Sequence, residues 1–271
     1  SLALVIEYME DLSDAEVAEQ IRARIDLKYL LGLELADPGF DASVLVEFRQ
    51  RLVAQELVGV LLEEVLKKAE TLHLLKQRGR QRTDSTHMLG AVAQLNRLEL
   101  VGETLRAALE ALAVAAPNWL RGVVPESWYE RYAHRFVHGR QPRQAAEREA
   151  LALQIAADGA QLLAACQAAE APVWLREVPA VCALQRIWAQ QYLCEDERWR
   201  WRTPEEQPAH TELLVSPYDL EVRYSRKRET EWCGYKVHLS ESCETHLPRL
   251  ITNVETGNAA APDGAMTATI H

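Results

Sequence analysis

The sequence has no run of about 18 consecutive apolar residues, the minimum for a helix that crosses a bilayer, which excludes a transmembrane span of that kind. Its apolar start, Leu2 to Tyr8, lacks both a charged lead-in and a small-residue cleavage site, which argues against a signal peptide. The five cysteines, at 166, 182, 194, 233 and 243, fall at no metal-ligand spacing. Their odd number suits a reducing cytosol, and they read as small buried apolar residues. Basic residues are in short supply. Thirty Lys and Arg against forty Asp and Glu leave a net charge of −10, which argues against a protein that coats nucleic acid non-specifically. A local DNA site is still compatible with that balance, because phosphate binding depends on local basic surface. No internal repeat is present.

What is there is enough for a sizeable core: 271 residues, 48% of them apolar. Residues 2–10 read as a short helix. Ser13-Asp14-Ala15-Glu16 reads as a capping box, opening a helix with Val17, Ile21 and Ile25 on its core stripe. Asp37-Pro38-Gly39 is a turn, and Asp41 caps a helix that turns Leu45, Phe48 and Leu52 inward. A further helical stripe runs through Val58, Leu61, Val65, Leu72 and Leu75. From Met88 the pattern is again helical, through Leu112 to a stop before Pro117. Residues 142–168 form an Ala-rich helix, and Pro179 opens another through Leu184, Ile187 and Tyr192. Trp119, Trp128, Trp174, Trp188, Trp199 and Trp201 read as core or rim residues rather than base-stacking platforms. After a polar connection over 205–217, Glu231–Ser240 and Arg249–Glu255 alternate as two strands of a hairpin.

Two basic stretches stand apart from the acidic average. Residues 76–82 hold Lys76, Arg78, Arg80 and Arg82 with no acid, and residues 223–228 hold Arg223, Arg226, Lys227 and Arg228. Either stretch taken singly is also compatible with a solvated face. Just beyond the first lies Thr83-Asp84-Ser85-Thr86-His87. On local chemistry, Thr83 or Asp84 there would cap a following helix, since a short oxygen side chain accepts free amide protons of the first turn.

An Asp84-Ser85-Thr86 element followed far downstream by Gly234-Tyr235-Lys236-Val237-His238 resembles the DDE-type transposases of bacterial insertion sequences. The resemblance implies a fold that is mainly α with a small β part. Residues 1–75 would be a helical N-terminal domain that contacts DNA. Residues 76–271 would be an incomplete ribonuclease H-like α/β domain, with a helical insertion at about 88–215 and strands at about 232–239 and 249–255. Asp84 would be the first catalytic acid and a ligand of Mg²⁺ or Mn²⁺, hard ions that favour all-oxygen ligation. Such sites hold two ions a little under ~4 Å apart. The phosphate-facing residues implied are Arg80, Arg82, Arg223, Arg226, Lys227, Arg228 and Lys236, with double-stranded transposon-end DNA as partner, a homodimer as candidate assembly and no membrane. The location implied is the bacterial cytoplasm, on the nucleoid when DNA is bound.

The resemblance also implies a departure. The chain starts at Ser1 rather than Met and stops before the expected fourth strand, so an N-terminal portion of a transposase, with two of three acids missing, is expected. Asp263 reads as a helix start rather than a second acid. The competing expectations are a DNA-binding, inhibitory product without catalysis and a helical scaffold of unrelated role.

Overall fold

A computed structural model describes residues 2–92, 95–136, 141–196 and 198–270. The chain is mainly α-helical with a small antiparallel sheet. It divides into two compact units, Ser1–Arg80 with Ser242–Thr252, and Gln81–Glu241 with Asn253–His271.

The first unit carries helices α1 (Leu2–Glu10), α2 (Asp14–Ala23), α3 (Ile25–Leu31), α4 (Ser43–Ala54) and α5 (Val58–Thr71). The capping box expected at Ser13 is present: Ser13 Oγ accepts from Glu16 N and Glu16 Oε2 accepts from Ser13 N. Asp41 Oδ1 accepts the Ser43 amide at 2.9 Å just ahead of α4, although the cap position itself is Ala42 and not the expected Asp41. Val17, Ile21 and Leu45 are buried as their spacing requires, with Ala3, Ile6 and Leu27 completing a small core. Ile25 departs from that pattern. Arg24 takes an extended conformation after α2, held by Glu10, Gln20 and Asp26. The helical phase restarts there, and Ile25 is left 69% exposed. The α5 stripe departs too, since Val58, Leu61 and Val65 and, just past the helix, Leu72 are all exposed. On α5 Ala69 is buried, and Leu62 and Leu66 are half-buried.

The second unit begins with strand β1 (Gln81–Leu89) and continues with helices α6 (Arg97–Ala115), α7 (Pro117–Val123), α8 (Ser127–Tyr132), α9 (Ala145–Gln167) and α10 (Pro179–Gln191). The helix expected from Met88 starts later. Met88 and Leu89 remain in the strand, and α6 opens at a second capping box, with Asn96 Oδ1 accepting from Leu98 N and Glu99 N. Pro117 and Pro179 each occupy the first turn of a helix, where a missing amide proton costs nothing. Leu105, Leu112, Ile155, Leu162, Leu184 and Ile187 lie at the centre of a large core shared by α6, α9 and α10. Gly159 lets α9 and α10 approach, because a Cβ there would meet the Trp188 ring at 2.2 Å. Trp128 and Trp188 are core residues, and Trp201 stacks on Tyr192 at 4.5 Å. Trp199 and Trp201 belong to a hairpin of β2 (Tyr192–Glu195) and β3 (Arg198–Trp201) that periodicity alone did not indicate.

The sheet is built on β5 (Thr230–Ser242), which pairs with β1, with β4 (Arg223–Lys227) and with β6 (Ile251–Asn258). The bonds Cys243 N to Arg80 O and Gly90 N to Cys233 O run β1 antiparallel to β5. β4 is antiparallel to β5 as well, with Arg223 opposite Gly234 and Lys227 opposite Thr230. A short helix, α11 (Thr267–Ile270), follows a 3₁₀ turn over Asp263–Met266. No helix among the described residues is long and apolar enough to cross a membrane.

Candidate functional site

The Asp-Ser-Thr element lies on a strand, and that removes the reading of Thr83 or Asp84 as a helix cap. Asp84 is exposed, and its Oδ1 accepts from the next amide, Ser85 N, at 2.8 Å. The two sequence motifs meet across the β1–β5 pair. Thr83 Oγ1 is 2.7 Å from Ser240 Oγ, and the His87 ring lies 5.2 Å from that of Trp232. Gly234 is required by this pairing, because a Cβ there would come within 2.0 Å of Met88 O. Any side chain would push β1 off β5.

Two cavities open on this part of the sheet. The larger, about 380 Å³, brings Asp84 together with Thr86, His87, Lys227, Arg228 and Lys236. Lys227 reaches it from the end of β4 and Arg228 from the tight turn that follows, where Arg228 takes a left-handed φ of 57°. Such a backbone is uncommon for a residue with a side chain. The smaller cavity, about 270 Å³, is lined by Thr83, Asp84, Ser85, His238 and Asp263. Asp263 opens the 3₁₀ turn, as its sequence setting suggests, and also pairs with Lys236 Nζ at 3.1 Å. That hydrogen-bonded cation holds the Asp263 carboxyl below the usual range, with Ser85 adding to the effect. Lys236 Nζ donates as well to Ala261 O at 2.5 Å. His238 is buried, and its Nε2 has no hydrogen-bond partner among the described residues.

The remaining basic residues are placed differently. Arg82 is exposed and pairs with Glu241 on β5. Arg226 is exposed and lies 3.5 Å from Glu231. Arg223 is half-buried and spends its guanidinium on the carbonyls of Thr211, Leu220 and Val222. Burial lowers its affinity for a proton, with Arg186 adding to the effect. In the first unit, Arg80 is exposed and lies 3.8 Å from Glu244. So Lys227, Arg228 and Lys236 share a cavity with Asp84, whereas Arg82, Arg223 and Arg226 are outside its lining.

The site is held from the opposite face of β5 by a polar relay that sequence reasoning did not find. Tyr235 OH donates to Asp219 Oδ2 at 2.5 Å, and Asp219 Oδ1 accepts from Glu221 N and Val222 N. Burial pushes the Tyr235 phenol up to about 12, and its bond to Asp219 adds to that. The adjacent Tyr218 OH donates to Glu103 Oε2 and accepts from Arg106, both on α6. Residues 218–219 thereby tie the helical core to the motif strand. The only sequence signal for this was the Tyr-Asp pair at the end of a polar connection.

A pair of hard divalent ions needs several carboxylates converging on one space. Among the described residues no group of three or more His, Cys, Asp or Glu side chains is placed to hold a metal ion. Asp84 and Asp263 share the smaller cavity, but Asp263 is already paired with a lysine. The residues present do not fit a two-metal cage.

Residues 2–51 match the family described as Transposase domain (DUF772), which supports a transposase-related chain. No curated protein and no solved structure gives a match.

Proposed function

We propose that this chain binds double-stranded DNA at transposon ends, as part of a DDE-type transposase whose sheet is the opening of a ribonuclease H-like domain. The observation that carries the reading is the shared cavity of Asp84 with Lys227, Arg228 and Lys236. It sets one acid of an Asp-Ser-Thr strand beside cations suited to backbone phosphates, in a chain whose first residues match a transposase domain. In this reading Lys227 and Arg228, exposed at a hairpin tip, contact phosphate. Lys236 orients Asp263, and Asp84 is the acid nearest the bound backbone. Arg80, Arg82 and Arg226 supply longer-range attraction, and Arg223 braces β4. Since the residues present do not fit a two-metal cage, the chain by itself binds transposon-end DNA without cutting it.

The test is DNA binding by the full chain at several salt concentrations, with a nicking assay alongside in Mg²⁺ or Mn²⁺. Each phosphate contact contributes roughly one unit to the log–log salt slope, so Lys227→Ala with Arg228→Ala should flatten it by about two. Asp84→Asn should leave both binding and stability nearly unchanged. A slope unaltered in the double variant would remove the hairpin tip from the DNA interface. Metal-dependent end cleavage by this chain would overturn the reading of binding without cutting.

A further inference from the structure

Lys236 links the two cavities on the sheet. It lines the larger one with Lys227 and Arg228, while Asp84 and Ser85 line both. Its charge is already spent: Nζ pairs with Asp263 at 3.1 Å and donates to Ala261 O. Both acceptors belong to the segment that leaves β6 and passes through the 3₁₀ turn into α11. Through Asp263, Gly264, Thr267 and Ile270 that segment walls the smaller cavity beside Asp84. None of residues 261–270 is buried, so apolar packing holds the segment only lightly. Lys236 is its polar clasp on β5.

The two halves of the clasp differ in their access to water. The Lys236 side chain is 13% exposed, whereas that of Asp263 is 54% exposed. A carboxylate so exposed gives up a lysine at small cost, because water takes the lysine's place. A lysine so enclosed cannot do the same and needs an anion or a carbonyl within reach. A backbone phosphate in the larger cavity is such an anion, and it competes with Asp263 for one ammonium group. Lys236 and, less strongly, Lys227 hold the Asp263 carboxyl below its usual range, so the acid bears on two cations of that cavity. Building on the reading of that cavity as a phosphate site, we propose that Asp263 is an autoinhibitory acid. It occupies Lys236 in the free chain, and phosphate displaces it and unfastens residues 261–270.

Binding of a random-sequence DNA duplex by the full chain at several salt concentrations tests it, since phosphate contacts carry no sequence information. Amide hydrogen exchange over residues 261–270 is followed alongside. Asp263→Asn should bind about tenfold tighter, with a log–log salt slope steeper by roughly one unit, the contact that Lys236 gains. That gain should vanish when Lys236→Gln is already present, because the acid then has no cation to withhold. Duplex added to the parental chain should speed exchange in residues 261–270 several-fold, and Asp263→Asn should speed it without DNA. Equal affinity of the parental chain and Asp263→Asn overturns the proposal and leaves the hairpin-tip reading standing. A gain that survives in the Lys236→Gln background overturns it too, as the effect of one diffuse negative charge. Exchange that DNA slows or leaves unchanged shows that phosphate does not unfasten the segment, and overturns it as well. Duplex bound by neither chain removes the phosphate reading and this inference with it, whereas duplex bound only by Asp263→Asn upholds the competition.

Discussion

The two units fold by different means from much the same helical vocabulary. The second has a large core, in which Leu105, Ile155, Leu184 and their neighbours are fully buried. It also buries polar groups in partnership: Glu103 with Arg106, and Asp158 with Arg131 and Tyr132. The first closes only Ala3, Ile6, Val17, Ile21, Leu27 and Leu45. Most of the chain's exposed large apolar side chains lie before residue 75. Its buried cation, Lys28, spends its charge on loop carbonyls, at 2.7 Å from Leu35 O and 2.6 Å from Asp37 O. Amphipathic periodicity is present in both units, but the second buries far more of the apolar surface it makes. Since burial of apolar area is the main favourable term, the first unit should be the less stable of the two.

That ordering gives the largest expected effects. All seven tryptophans lie between residues 119 and 232, in the second unit, so their fluorescence reports its unfolding alone, while far-UV circular dichroism reports both. In urea, an early loss of helix without change in fluorescence is expected, followed by a second step seen by both. Leu105→Ala should cost about 2–5 kcal/mol and move only the second step. Leu45→Ala should move only the first, and by a similar transfer term. Coincident transitions by the two probes, shifted together by either variant, would break the comparison.

Next in size is the buried ion pair, which has no equally buried counterpart among the described residues of the first unit. The side chains of Glu103 and Arg106 are 4% and 6% exposed and 3.0 Å apart. Burial raises the Glu103 carboxyl, but the bonds from Arg106, from Tyr218 and from Phe136 N together hold it below its usual value. Glu103→Gln leaves Arg106 with a reduced set of charges in a buried place and should cost about 3–5 kcal/mol. A depressed carboxyl contributes stability that is present above its unfolded value, near 4.5, and is lost as pH falls through the folded value. The parental second unit should therefore lose more stability than the Gln variant on going from pH 7 into that acid range. Parallel acid profiles by fluorescence would show that Glu103 does not contribute through its charge.

How much of this was legible in the sequence depends on which force decides each feature. Local chemistry was readable: the Ser13 box, the proline that opens α10, and the strands about Tyr235 and Ile251 all follow from residue type and spacing. Phase was less so, because the extended backbone at Arg24 is held by three side-chain partners that no window of sequence displays. The resemblance placed a strand at residues 80–86, where propensity gave no support for one. Every β1 residue except Ser85 is exposed, so its pairing with β5 and not its burial makes it a strand. The gathering of Lys227, Arg228 and Lys236 around Asp84 was illegible for a related reason. It depends on β4 pairing with β5 in one register, and the basic stretch carries no alternation that announces a strand. Tyr218 and Asp219 bridge α6 to β5 across long sequence separations, beyond the reach of any local pattern.

The smallest expected effect compares one device used in both units. Ser13 is exposed, and its hydroxyl accepts from Glu16 N at a long 3.4 Å. Asn96 is half-buried, and its carbonyl oxygen accepts two amides, Leu98 N and Glu99 N, each at 3.0 Å. Both boxes close with a glutamate returning to the cap amide, at 2.8 Å for Glu16 and 2.9 Å for Glu99. Loss of a cap side chain costs ~0.5–2 kcal/mol, more when the freed amides cannot turn to water. Ser13→Ala leaves its amides at the surface of the first unit and should fall at the low end, read by circular dichroism. Asn96→Ala strips a better-made cap from a long core-facing helix of the second unit and should fall near the high end, read by fluorescence. Asn96→Gly, which relaxes the extended cap backbone, should recover most of that loss. Equal costs for the two Ala variants would mean that the surroundings of a capping box do not set its worth. The difference in burial between the units would then stop at their cores and not extend to the ends of their helices.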